Sequence, residues 1–597
     1  MNTSAVTYAA LLMVILAIAA RAVGITISTD GVSQAVIVVA ADAPEPQQHA
    51  ARELAGFLGQ ITGDEFEILN EEREQACIFV GPAAAKWADT GFSTDGLGAE
   101  GIVIRTVGDD LILAGGEPRG TLYAVYTFLE DELGCRWWSS TESTIPSHTN
   151  ITVENFAVRY VPVLEYREPY WFDAFDGDWA ARNKCNGQGA RLDAKRGGKH
   201  VYEGFVHTFF PLIPPEKYFE DHPEWFSEID GKRKHQRAQL CLTNEEMRRE
   251  LVKNLKQRLR ANPSATIASV SQNDWYGNCQ CEKCEAFEEA EGSPAGLMLR
   301  FVNTVAADIE EEFPHVAIST LAYQYTRKPP RHVRPRDNVI VRLCSIECSF
   351  AKPLAHERNQ AFRDDIVGWS QICDRLYIWD YTTNFRHHIM PHPNLEVLGP
   401  NVKFFVGHSV KGIFEQGAYT TNGAEMAELR AWVLAKLLWD PSRDGQALIG
   451  EFLEGYYGPA APHIRAYLDV THDAVDASGD WLGCFERHTA GYLNFDTLTR
   501  GWRHLNAAEQ AVKRDPDLHF RVQVAQLPVM YVFMMRWNEM REAARQSGVE
   551  WPMPPTIRET FDRLLTVARR KNITRLSEWV EGFGALEKAV AEQGGRR

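Results

Sequence analysis

Beyond Ala20 this sequence has no apolar run long enough to span a bilayer, so a protein of several membrane spans is excluded. Positive charge is short as well. The 63 Lys and Arg are outnumbered by 80 Asp and Glu, and the resulting net charge of −17 argues against a nucleic-acid partner. No internal repeat and no low-complexity linker interrupts the text. The glycines of Gly115-Gly-Glu-Pro-Arg-Gly120 match neither dinucleotide-binding nor P-loop spacing. Cysteine is sparse: 11 thiols, an odd number, are scattered along 597 residues, which excludes a disulfide scaffold.

What is present reads as a multidomain globular chain. Its length exceeds one ordinary domain, and 45% hydrophobic with 24% charged residues is usual for a globular protein. One apolar run, 9–20, is flanked by Arg21 and is too short for a comfortable span. It fits the apolar centre of a signal peptide, although no Lys or Arg precedes it. Residues 1–23 are therefore expected to be a signal peptide and the chain to be exported, with no stable membrane insertion after cleavage. An uncleaved anchor is the alternative.

Residues 24–155 read as an N-terminal α/β domain. Strands are expected at 35–40 and 77–81, a helix at 46–59, and a hairpin from 101–105 and 111–114 around Gly108-Asp-Asp110. The glycine-rich turn reads as a loop feeding an amphipathic packing helix. From 160 to 440 short apolar runs alternate with helical text. Strand candidates are 164–167, 204–209, 239–242, 267–270, 317–322, 339–344, 376–379 and 412–414. Eight strands alternating with helices predict a (β/α)8 barrel of TIM type. Residues 441–597 read as a helical C-terminal domain, its last helix at 576–593.

In such a barrel the carboxyl ends of the strands converge on one face, where catalysis sits. The fourth predicted strand runs into Ser271-Gln-Asn-Asp-Trp275, and the other ends carry His207, Tyr323 and Tyr325, Glu347, Trp379-Asp-Tyr381, and Glu415 with Tyr419. Several carboxylates among amides and aromatic rings suit glycoside hydrolysis, in which one carboxylic acid protonates the leaving oxygen and a second carboxylate acts as nucleophile, base or stabiliser. The catalytic candidates are Asp274, Glu347 and Glu415. The substrate-binding candidates are His207, Asn273, Trp275, Tyr323, Tyr325, Trp379, Asp380, Tyr381 and Tyr419. Each has a structural alternative: Glu347 and Glu415 could be held in ion pairs with Arg342 or Lys411, Asp380 could hold a neighbouring loop, and His207 could be a structural histidine. The expected partner is an oligosaccharide or a glycoprotein glycan, with no cofactor.

Cys279-x-Cys281-x-x-Cys284 follows the central stretch closely. Three thiols suit Zn²⁺, but a structural site needs a fourth ligand, which Cys241, Cys348 or a histidine could supply. The short first spacing differs from the usual zinc-ribbon pattern. A disulfide or free buried thiols is the preferred reading, and no metal is assigned.

Two resemblances add to this. The glycine-rich turn, the helix Tyr123-x-x-x-Thr-Phe-Leu-Glu130 and the Arg136-Trp137 end resemble the N-terminal domain that precedes the catalytic barrel in β-hexosaminidases and α-glucuronidases. A second set of phrases begins with His207-Thr-Phe-Phe-Pro211 and its continuation to Phe226, followed by Ser269-Val-Ser-Gln-Asn-Asp274 and Leu321-Ala-Tyr-Gln-Tyr-Thr326. It goes on with Leu343-Cys-Ser-Ile-Glu-Cys348, Tyr377-Ile-Trp-Asp-Tyr381 and Gly412-Ile-Phe-Glu-Gln-Gly417. Together these resemble a bacterial family long labelled a domain of unknown function and linked to glycoside hydrolase family 163, endo-β-N-acetylglucosaminidases acting on complex N-glycans. That resemblance spans about residues 24–475. It implies a retaining, substrate-assisted mechanism in which the N-acetyl oxygen of the substrate is the nucleophile. By analogy with related barrels, Asn273 and Asp274 are the pair that orients the acetamide and moves the proton, with Glu347 and Glu415 competing for the acid. The alternatives are an exo-acting α-glucuronidase-like hydrolase, for which Arg167, Arg342 and Arg386 lie near strand ends, and a non-catalytic glycan-binding protein.

Overall fold

The computed structural model describes residues 24–594; the expected signal peptide lies outside the described residues. Among them no helix is long and apolar enough to cross a membrane. The chain divides into two compact units, Met1–Leu133 with Pro146–Tyr160, and Gly134–Ile145 with Val161–Arg597.

The first unit is built on a six-stranded sheet in the order Ala157–Tyr160, Ile102–Val107, Asp110–Gly115, Ala76–Val80, Ala35–Val39, Ile68–Leu69. Helices Glu45–Thr62 and Gly120–Asp131 pack on it, as the apolar spacing predicts. The glycine-rich turn serves close packing. A Cβ on Gly115 would stand 2.4 Å from the Gly120 carbonyl carbon, and one on Gly120 would stand 2.4 Å from the Gly101 oxygen, so neither position tolerates a side chain.

The second unit contains a curled, parallel sheet of seven strands, a half-barrel compatible with a TIM-like domain. In chain order these are β1 (Tyr166–Tyr170), β2 (Tyr202–Glu203), β3 (Ile267–Ser269), β4 (Ala317–Ala322), β5 (Val339–Cys344), β6 (Leu376–Tyr381) and β7 (Gly412–Gln416). They pair in the order β1-β7-β6-β5-β4-β3-β2. The order differs from the expected eight-stranded barrel in two places. First, β2 pairs directly with β3, because the expected strand at 239–242 is not part of the sheet. Its backbone groups are spent elsewhere: Gln239 N–H donates to Gly277 O, Cys241 N–H donates to Trp225 O, and Gln239 O accepts from Ser227 N–H. A residue has one backbone donor and one acceptor, so little is left for a ladder. Second, the expected strand at 204–209 is absent, and the two-residue β2 lies just before it at Tyr202–Glu203. Gly204 at φ 63° and His207 at φ 55° break extended geometry, and Phe209–Leu212 is helical.

No ladder joins β1 to β2 among the described residues. Asn186 fills this opening: its side-chain amide accepts from Arg167 N–H at 2.8 Å and donates to Glu165 O at 2.9 Å, and its backbone carbonyl accepts from His200 N–H. Inside the curl, Arg342 of β5 is buried with its guanidinium 4.7 to 5.7 Å from the ring centres of Phe205, Tyr202, Trp379, Phe414 and Tyr166. Aromatic faces and the Tyr202 hydroxyl, to which it donates, replace water around this cation.

The helices on the outside start where capping chemistry permits. Asn244 accepts from Met247 N–H to open Glu245–Ala261, which carries Glu245 and Glu246 in its first turn and Arg258 and Arg260 in its last. Beyond residue 440, helices Gly445–Tyr457, Ala461–Ser478, Phe495–Val512, Pro516–Met535, Trp537–Ser547, Ile557–Arg570 and Gly584–Gln593 belong to the same unit as the half-barrel. The last begins at Gly584, later than its periodicity predicts. The residues before it, 574–582, are irregular and run over the carboxyl end of the sheet, where Leu576 O accepts from His388 N–H and Glu578 N–H donates to Phe385 O, both at 2.9 Å.

Candidate active site

A cleft of about 290 Å³ opens at the carboxyl end of the sheet. His207, Asp274, Tyr323, Trp379, Tyr381, Gln416, Phe485, Glu578 and Trp579 are among its lining residues.

Asp274 owes its position to the amides before it. Gln272 donates to Tyr323 O and Thr326 Oγ1, while Gln239 donates to the carbonyls of Asn273 and Trp275 and accepts from Asn273 N–H. Asn273 is itself buried, its side chain accepting from Phe210 N–H and donating to Ala238 O. With its neighbours fixed inward, Asp274 is turned out into the cleft, its side chain 60% exposed. The Tyr323 hydroxyl donates to Asp274 Oδ1 at 3.0 Å, and Gln324 in turn donates to that hydroxyl. His207 Nε2 lies 3.7 Å from the same oxygen, and its Nδ1 is 2.8 Å from Gln272 O, a bond that requires the proton on Nδ1. His207 and Gln324 both have positive φ without being glycine, and backbone strain of this kind gathers at functional sites.

The second carboxylate of the cleft is Glu578. It comes from the irregular stretch that the sequence reads as helix. Tyr419 donates to Glu578 Oε1 at 3.0 Å, and Gln416 Nε2 stands 3.5 Å away. Burial pushes the Glu578 carboxyl above its ordinary value; the Tyr419 hydrogen bond opposes that rise, and the charge of Asp274 adds to it. Partial burial beside a second carboxylate is the environment expected of a general acid. Trp579, 61% exposed, stacks on Phe485 with ring centres 6.0 Å apart. On the sheet itself Trp379 and Tyr381 stack at 6.2 Å, and Trp379 Nε1 donates to Gln416 Oε1.

The remaining sequence candidates stand outside this cleft. Side chains alternate across a strand, so Trp379 and Tyr381 face the inside of the curl and Asp380 faces the helix layer, where Ser345 and Asn401 bond to it. Glu415 is the cross-strand partner of Asp380 and shares its face. Both are buried. Burial pushes Asp380 up to about 6 and, with the charge of Asp380, pushes Glu415 well above its ordinary value. Glu347 pairs with Arg327 at 3.0 Å. Trp275 donates to Ala238 O, and Tyr325 packs near Tyr276. Tyr419 reaches the cleft only through Glu578. The sequence signal for Glu578 is faint: an acid beside a tryptophan in Ser577-Glu-Trp579, shortly before Gly582.

Residues 137–469 match the family described as Domain of unknown function (DUF4838), more than half of the chain. The chain belongs to this family. The family match ends before Glu578, so one of the two cleft carboxylates lies beyond it. Residues 29–128 match the glycosyl hydrolase family 67 N-terminus, which supports a glycoside hydrolase. No curated protein matches the chain. Among solved structures, a GH138 enzyme targeting pectin rhamnogalacturonan II is similar at 12% identity over 91% of this chain and 75% of its own, with a TM-score of 0.39.

Proposed function

We propose that this chain is a glycoside hydrolase that cleaves N-acetylglucosamine-containing glycans, with Glu578 as general acid and Asp274 as the carboxylate that orients and stabilises the reacting acetamide. The observation that carries the reading is the meeting of these two carboxylates in one aromatic cleft at the carboxyl end of the sheet. Glu578 is half-buried with its proton retained more strongly than usual, which fits it to protonate a leaving glycosidic oxygen. Asp274 is solvent-facing and braced by Tyr323. A substrate acetamide N–H donated to Asp274 turns the acetamide oxygen towards the anomeric carbon, where it displaces the protonated leaving group and forms a cyclic oxazolinium ion. Glu578, now ionised, then takes a proton from the water that opens the ring, and the anomeric configuration is retained. Trp379 and Tyr381 give the acetamide methyl and sugar face an apolar wall. Endo-action on complex N-glycans is the finest form of this proposal and rests on the resemblance to family 163.

A uronic-acid substrate is the second reading, favoured by the family 67 N-terminal match. The cleft weighs against it. A uronate carboxylate calls for a basic partner, and none of the cleft-lining residues, among the described ones, is Lys or Arg. Arg167 is held by the carbonyls of Lys184 and Leu164, and Arg342 is caged beneath the cleft floor.

The deciding experiment is mass spectrometry of a glycoprotein bearing complex N-glycans after incubation with purified protein. Glycans shortened by one N-acetylglucosamine, with that sugar left on Asn, are the expected products. Absence of release, with activity on glucuronosides instead, overturns the N-acetylglucosamine reading.

A further inference from the structure

The half-barrel lacks its expected third strand, and the segment standing in that place brings a cysteine to three others. Cys241, Cys279, Cys281 and Cys284 have all their sulfur atoms within 4.8 Å of one another. Cys241 Sγ is 3.8 Å from both Cys281 Sγ and Cys284 Sγ. A disulfide needs about 2.05 Å. Four thiolates at the corners of a tetrahedron around Zn²⁺, each about 2.3 Å from the metal, have edges of about 3.8 Å. We propose that these four cysteines form a structural tetrathiolate site for one Zn²⁺ ion.

Leu242, Phe287 and Leu297 pack around the four cysteines, and polar donors reach their sulfur atoms as they do bound thiolates. Glu228 N–H donates to Cys279 Sγ at 3.3 Å, and Arg233 Nη1 reaches the same sulfur at 3.5 Å. Thr243 Oγ1 lies 3.3 Å from Cys284 Sγ and 3.5 Å from Cys241 Sγ. These donors offset the double negative charge that four thiolates leave on a zinc centre. The chain is shaped to deliver them. Cys281 caps helix Glu282–Glu291, and Cys284 N–H donates to Cys281 O, which turns the Cys281-x-x-Cys284 pair towards one point. Cys279 follows Gly277, at φ 100°, where an added Cβ would stand 2.5 Å from Arg237 O. Three of the four cysteines are buried.

The ion would clamp the 239–242 segment, which the sheet does not hold, onto the loop that carries Asp274. The same two stretches are already tied by Gln239 to Asn273 and Trp275. The metal binds with loss of the four thiol protons to solvent, has no open position for substrate, and takes no part in the chemistry. The inference does not depend on which glycan is cut.

The test is elemental analysis by mass spectrometry of the full chain, purified without chelators or metal-affinity resin. It is paired with alkylation of thiols before and after denaturation in chelator. About one zinc per chain is expected, with these four cysteines alkylated only after denaturation in chelator. Replacement by Co²⁺ should give sulfur-to-cobalt charge-transfer bands and the visible bands of a tetrahedral site. Cys284→Ser should lower metal content at least tenfold, while Cys373→Ser, at a buried thiol elsewhere, should keep it. Zinc below about a tenth per native chain overturns the proposal, whether the thiols are then found free or as disulfides; this measurement on the unaltered chain stands even if Cys284→Ser fails to fold.

Discussion

Tyr419 donates a 3.0 Å hydrogen bond to Glu578, and Asp274 acts on the same carboxyl in the opposite sense. The Tyr419 bond favours the ionised form of Glu578; the Asp274 charge disfavours it. If Glu578 is the general acid, the alkaline limb of the pH–rate profile reports its loss of a proton. Tyr419→Phe should move that limb to higher pH, and Asp274→Asn should move it to lower pH while reducing kcat. Shifts of the same sign in the two variants would remove Glu578 from this role.

Glu578→Gln keeps the shape and removes the transferable proton. Turnover of an N-acetylglucosaminide with a poor leaving group should fall about 100- to 10,000-fold, with the thermal midpoint little changed. Glu415→Gln, at a buried carboxyl facing away from the cleft, should retain near-normal turnover. Rates measured side by side for the two variants distinguish the cleft residue from a strand-end residue that the sequence offers as a catalytic candidate.

The contrast between those glutamates shows how far the sequence is legible. Strand positions at 317–322 and 339–344 follow directly from apolar runs buried on both faces, as parallel strands are. Asp274 is legible because polar residues end such a run. Parity is harder. Asp380 stands between two residues that enter the cleft, and only the register of β6 with β7 shows that it and Glu415 face the helices. Glu578 is harder still. Its stretch shares the apolar spacing of the helix behind it, and its place over the sheet is set by backbone bonds that involve Phe385 and His388, far earlier in the chain. Gln239–Leu242 illustrates the reverse: its composition suits a strand, yet its hydrogen bonds go to loops.

The buried pair Asp380 and Glu415 makes stability depend on pH. Burial holds Asp380 at about 6 and Glu415 well above its ordinary value, whereas unfolded carboxyls titrate near pH ~4. Between these values the folded chain keeps protons that the unfolded chain has released, so stability falls as pH rises. The contribution of Asp380 is complete below pH ~4 and is lost as pH passes through about 6. Glu415→Gln, which needs no proton to stay neutral, should show a smaller fall in thermal midpoint across this window and above it. A steeper fall would contradict the assignment.

Trp579 offers its exposed face beside Glu578, with Phe485 behind it. Replacing it with Ala should weaken glycan binding by about 1 kcal/mol, a roughly fivefold rise in KM, with a smaller effect on kcat. Equal loss in kcat and kcat/KM would instead show that the ring acts on Glu578 in the transition state.

The Phe385 and His388 anchors of the 574–582 stretch also bear on when the cleft comes into being. Asp274 leaves the ribosome roughly 300 residues before Glu578, which at 5–20 residues per second is roughly 15–60 s. Three of the seven strands precede Asp274 and the other four are made within that interval, so the sheet can assemble around an acid that does not yet exist. On the proposed mechanism, the nascent chain carries a cleft without its proton donor, and hydrolytic competence arrives as a separate, later event of biosynthesis.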